Sequence, residues 1–75
     1  MGKLPVISGK YLCKLLAKLG YLEDHQTGSH IILRNISYPY RRITVPNHKE
    51  VAKGTLRSII RETGITLEQF NDLMD

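Results

Sequence analysis

The chain predicts an α+β fold in which helices cover one face of a three-stranded antiparallel sheet. Three observations carry this expectation: leucines at helical spacing near the N-terminus, three short β-type runs in the middle, and a second helical period closed by a capping sequence. Seventy-five residues, 41% of them hydrophobic, suffice for one small core and no more, so residues 1–75 read as a single domain.

Ser8 is placed as an N-cap before Leu12, Leu15, Leu16 and Leu19, which follow i, i+3, i+4, i+7. This predicts a helix from about residue 9 to 19, closed by Gly20. From Tyr21 the helical period is lost. The runs Tyr21–Gln26, His30–Ile36 and Tyr40–Val45 are separated by Thr27-Gly28-Ser29 and Ser37-Tyr38-Pro39, spacings that suit antiparallel hairpins. In the third run Ile43 and Val45 point one way and Arg42 and Thr44 the other, until Pro46 ends the strand. In the second, Ile31 and Leu33 are expected toward the helices, leaving His30, Ile32 and Arg34 on the open face. Leu56, Ile59 and Ile60 then mark a helix near 54–63 with Gly64 as its stop. Thr66-Leu67-Glu68-Gln69 reads as a capping box opening a short last helix, with Phe70, Leu73 and Met74 inward.

Charge is unevenly placed. All eleven Lys and Arg lie in positions 1–61, opposed only by Glu23, Asp24 and Glu50, which leaves +8. Residues 62–75 hold Glu62, Glu68, Asp72 and Asp75 with no base, which leaves −4. A basic body suggests a polyanionic partner such as nucleic acid, though charge alone does not choose among polyanions. The single cysteine, Cys13, excludes an internal disulfide and a Cys-based zinc cage, as expected of a reduced, cytoplasmic protein. No apolar run approaches membrane-span length, and no apolar stretch follows Lys3 as a leader would require.

Candidates for chemistry are few. H-E-x-x-H, CxxC, GxSxG and GxxxxGK[ST] are all missing, and the three histidines His25, His30 and His48 have no metal-ligand spacing. Any chemistry is therefore expected to run on an imidazole without a cofactor. His30 follows Gly28-Ser29 at a hairpin tip, where a side chain can reach a ligand, although a lone histidine at a strand start is more often ordinary. His48 lies beside Lys49 and Lys53 in the loop feeding the second main helix. Free N–H groups and the positive dipole end attract phosphate there; simple hydration of the loop is the competing reading. Lys10, Lys14 and Lys18 recur at i, i+4, i+8, a stripe that charge patterning alone favours as solvated over phosphate-facing.

The ordered set Leu4-Pro5-Val6-Ile7-Ser8-Gly9-Lys10, Leu19-Gly20-Tyr21, Gln26-Thr27-Gly28-Ser29-His30, Ile43-Thr44-Val45-Pro46-Asn47-His48 and Lys53-Gly54-Thr55-Leu56-Arg57-Ser58-Ile59-Ile60 closely resembles the HicA family of toxins, also called YcfA-like proteins. The likeness covers nearly the whole chain. It implies a double-stranded-RNA-binding-domain-like fold, α-β-β-β-α, and a toxin that cleaves mRNA and is held inactive by a HicB antitoxin. The family's catalytic histidine is the one in G-S-H, here His30. Two features depart from the family pattern and bear on RNA choice or partner contact: Asp24-His25 before Gln26, and the aromatic turn Ser37-Tyr38-Pro39-Tyr40.

On that resemblance Lys10, Lys14, Lys18, Gly28, Ser29, Lys49 and Lys53 fall where such a fold holds RNA, mainly through shape, phosphate and 2′-OH contacts. The expected reaction is metal-independent transesterification, with His30 as general base or acid, His48 as a candidate second proton-transfer group, and lysines with Arg34 stabilising charge on the phosphorane. Binding is expected to be electrostatic, since lysines outnumber stacking platforms. The competing readings are a non-catalytic RNA-binding module of the same fold and a protein-interaction domain with a basic face.

Overall fold

The computed structural model describes residues 3–74. The elements run α1 (Gly9–Ala17), β1 (Tyr21–Thr27), β2 (His30–Asn35), β3 (Arg42–Pro46), α2 (Lys53–Thr63) and α3 (Leu67–Asp72). The strands form one antiparallel sheet in the order β1-β2-β3.

Helix α1 begins as its sequence dictates, with the Ser8 hydroxyl accepting the Tyr11 N–H at 3.1 Å. It ends two residues before the expected Leu19. The Lys18 N–H reaches back to the Leu15 and Leu16 carbonyls, and the tightened turn passes into Gly20 at φ +93°. Leu12, Leu15 and Leu16 are buried. On the sheet, Ile31, Leu33, Ile43 and Val45 lie beneath the helices, while His30, Arg34, Arg42 and Thr44 are exposed on the opposite face. The register is therefore the one the alternation predicts. Both α1 and α2 pack on this single face, against β1 with β3 and against β3 respectively.

Two departures are local. In β1 the pairing slips between Glu23 and His25, leaving Asp24 as an extra residue in a bulge. β3 starts at Arg42 rather than Tyr40, because Ser37–Tyr40 closes a turn through the Tyr40 N–H and the Ser37 carbonyl at 2.7 Å, with Tyr40 at φ +60°.

Helix α2 stops at Gly64, φ +80°, and α3 opens with the full capping box: Gln69 N–H to Thr66 Oγ1 at 3.0 Å and Thr66 N–H to Gln69 Oε1 at 2.8 Å. α3 is short, yet its Phe70 is fully buried, a contribution of roughly 1.5–3 kcal/mol from apolar burial. The Lys18 ammonium donates to the Leu73 carbonyl at 2.5 Å, placing a cation at the C-terminal end of α3.

Candidate active site

The end of the sheet that carries His30 is assembled by backbone contacts among three distant segments. Gly28, at φ +56°, supplies the positive φ that a two-residue hairpin needs, so that Thr27 and His30 pair directly across the turn. On its other side His30 pairs with Pro46. One step further the Asn47 N–H donates to the Ser29 carbonyl at 2.6 Å, tying the hairpin tip to the end of β3. The Gly9 N–H then donates to the His48 carbonyl at 2.9 Å, bringing in the start of α1, and the Val51 N–H closes onto the Ile7 carbonyl at 2.9 Å. Gly9 is buried, and a Cβ there would lie 2.1 Å from the Pro46 carbonyl oxygen. Only glycine permits this approach.

Within this corner the structure gathers several of the residues singled out from sequence. His30 is exposed at the strand start with both neighbouring strands fixed around it. His48 is exposed two residues beyond Pro46, its backbone held by α1. Gly28 and Ser29 form the turn, and Lys10 is exposed in the first turn of α1, next to the Gly9 contact.

Lys49 and Lys53 lead into α2, whose N-cap residue Ala52 makes no side-chain hydrogen bond and whose first turn holds no acidic residue. The first amides of α2 thus carry no side-chain cap and their dipole is uncompensated. A Cβ on Gly54, in the first turn of α2, would meet nothing within 4 Å.

Other candidates lie apart. Along α1, Lys14 stands roughly 6 Å and Lys18 roughly 12 Å from Lys10 by helical rise, and Lys18 is engaged with Leu73. Arg34 is four residues from His30 on the same strand, about 13 Å along the sheet. Its guanidinium sits over the Tyr40 ring, 5.1 Å from the centroid. Held there, the guanidinium is turned toward the β2–β3 turn rather than toward His30. His25 pairs with Asp24 at 2.9 Å in the β1 bulge, a bond that holds the Asp24 carboxyl below its ordinary value. Burial, with a smaller push from Glu23, raises the Cys13 thiol to about 11, leaving it protonated and a poor nucleophile.

Two features were not read from sequence. One is the Gly9 contact, for which a glycine directly after an N-cap serine is the only local signal. The other is the meeting of Tyr38, Tyr40 and Arg34, which requires the turn geometry. Among the described residues no three of His, Cys, Asp and Glu gather at metal-binding distance, and no helix is long and apolar enough to cross a membrane.

Three antiparallel strands with both main helices on one face, in the order α-β-β-β-α with a short helix after, define a double-stranded-RNA-binding-domain-like fold. Residues 9–65, from the start of α1 to just past α2, match the family described as the HicA toxin of bacterial toxin–antitoxin systems. The chain belongs to the HicA toxin family, and membership implies an antitoxin partner. No curated protein matches the chain closely enough to rank as a relative.

Proposed function

We propose that this toxin is an endoribonuclease that cleaves mRNA without a metal ion, using His30 as general acid or base. The observation that carries the reading is the setting of His30: an exposed imidazole at a glycine-built hairpin tip, locked between two strands and tied to α1 and to the loop before α2. A proton-transfer group on a fixed backbone beside exposed lysines is the minimal equipment for transesterification. The imidazole takes the 2′-OH proton, O2′ attacks the adjacent phosphorus, and the 5′-oxygen leaves with a proton. The products are a 2′,3′-cyclic phosphate and a 5′-OH. General acid–base catalysis of this kind is worth about 10²–10⁴-fold.

His48, held beside the same corner by its backbone, is the candidate for returning the proton to the leaving oxygen. Lys49, Lys53 and the open N-terminus of α2 form the phosphate clamp, with Lys10 and Lys14 continuing it along α1. Arg34, whose guanidinium lies over Tyr40, is left out of the transition state. The antitoxin is proposed to be HicB-like and to cover this surface, and the setting to be cytoplasmic.

The test is cleavage of RNA by wild type and His30→Ala, in chelator, with product ends analysed. The variant should remain folded, keep most RNA affinity through its phosphate contacts, and lose cleavage; wild type should work in EDTA and leave cyclic phosphate. Undiminished cleavage by clean His30→Ala protein removes the assignment. Binding without cleavage by wild type returns the chain to a non-catalytic RNA-binding module.

A further inference from the structure

We infer that the β2–β3 turn carries a stacking platform for unpaired bases of the RNA, built from Tyr38, Tyr40 and Arg34; this rests on the reading that the chain acts on RNA. Tyr38 is 85% exposed and Tyr40 46%, and their rings meet edge to face with centroids 5.9 Å apart. The Arg34 guanidinium covers the Tyr40 ring at 5.1 Å. The assembly is held in place rather than loose. The Tyr40 N–H bonds to Ser37 at 2.7 Å, the Asn35 N–H to the Arg41 carbonyl at 2.8 Å, and the Ser37 N–H to Asn35 Oδ1 at 2.9 Å. Tyr40 is kept at φ +60°, a conformation that a bulky side chain rarely adopts and that the turn must enforce.

The occupant follows from the chemistry. An aromatic face open to solvent, with guanidinium groups beside it, suits a π-system linked to phosphates. Arg41 and Arg42 are exposed at the end of the turn, and Leu22 and Ile36 add exposed apolar surface beside it. Glu23 and Asp24 border the same depression as Arg34, and the Asp24 carboxylate, hydrogen-bonded to His25 at 2.9 Å, also feels the charges of Arg34 and Arg42. Paired bases hide their faces within the helix, so a ring of this exposure can stack only on bases that are unpaired.

The platform shares the open sheet face with His30, and Arg34 stands about 13 Å along β2 from it. A stacked strand advances about 3.4 Å per nucleotide. The platform would therefore hold bases about four nucleotides from the bond cut at His30, giving the enzyme a means to choose single-stranded stretches that its lysines do not supply.

The experiment compares 2′-O-methylated RNA, which lacks the attacking hydroxyl, as a single strand and annealed to its complement. Wild type, Tyr38→Ala and Tyr38→Trp are titrated with both. Loss of one base stack corresponds to about 5- to 150-fold in affinity. Tyr38→Ala should lose at least about fivefold for the single strand and bind the duplex as wild type does. Tyr38→Trp should retain single-strand affinity, its indole emission quenched by the single strand and not by the duplex. Equal single-strand affinity of Tyr38→Ala and wild type overturns the platform, as does an equal loss on both RNAs. Unchanged RNA binding with weakened binding of the cognate antitoxin reassigns the turn to protein contact and also overturns it. If wild type binds neither RNA, the platform falls together with the reading beneath it; if wild type binds and Tyr38→Ala is indifferent, the platform alone falls.

Discussion

Replacing Gly9 with alanine adds one methyl group at the closest approach found among the described glycines. An ideal Cβ would stand 2.1 Å from the Pro46 carbonyl oxygen and 3.1 Å from Asn47 Cα, both backbone atoms that have no rotamer into which to retreat. The end of β3 must therefore move away from α1. Overpacking of this kind costs about 1–3 kcal/mol, and stretching the Gly9 to His48 hydrogen bond adds about 0.5–1.5 kcal/mol. Together about 2–4 kcal/mol is lost from a domain whose size predicts a total of roughly 4–11 kcal/mol. At about 4–8 °C per kcal/mol for a domain of this length, Tm should fall by about 8–32 °C. Gly54→Ala is the matched control, since nothing lies within 4 Å of its added methyl group. It should gain about 0.4–1 kcal/mol by restricting the unfolded chain. Thermal unfolding followed by circular dichroism reads both. Should Gly9→Ala melt at or above the wild-type temperature, or the two substitutions shift Tm in the same direction, the close-approach reasoning is wrong.

The remaining predictions concern the surface and one half-buried thiol. Lys49→Ala/Lys53→Ala should flatten the salt dependence of RNA affinity by roughly one to two units, at about 0.7–0.9 per lost phosphate contact; an unchanged slope in a salt titration removes the α2 N-terminus as the clamp. Cys13, raised from 9.0 to about 11, should hold roughly a hundredfold less thiolate at pH 8 than an unperturbed thiol. Its alkylation by iodoacetamide should be slow in native protein and fast in denaturant. The unfolded thiol ionises first, so this group withdraws stability as pH rises from about 9 toward 11, and adds nothing to acid sensitivity. The antitoxin should displace a non-cleavable RNA from His30→Ala protein in proportion to its concentration; a stable ternary complex seen by gel filtration would refute occlusion of the RNA surface.

Those parts of the fold governed by local rules were legible in the sequence. Ser8 and Thr66 cap because their hydroxyls lie three residues from an unpaired amide, and Gly64 stops α2 because it alone there tolerates φ +80°. The register of β2 and β3 follows from Ile31, Leu33, Ile43 and Val45, since a slip of one residue would expose all four. The parts that escaped depend on non-local geometry. Lys18 looked like one of three equivalent stripe lysines, yet docking of α3 brings the Leu73 carbonyl to its amine. Arg34 was grouped with His30 by sharing a face, and only strand rise separates them. The motif fragments pointed to His30, but the stitching of Ser29 to Asn47 and Gly9 to His48 involves backbone groups that carry no side-chain signature.

The bulge in β1 bears on how this chain meets other chains. A three-stranded sheet ends in two rows of unsatisfied amides and carbonyls, which invite a further strand from a second copy or an extended peptide. Here the β1 row is broken at Asp24 and carries Glu23, His25 and Gln26, while β3 is five residues long, begins with Arg42 and ends with Pro46, which has no N–H to offer. Neither border supplies the long flat ladder that sheet extension requires. Chains made in excess are thereby discouraged from zipping together edge to edge. A ligand or partner must grip the molecule by its faces and corners, which is where its cations and rings are displayed.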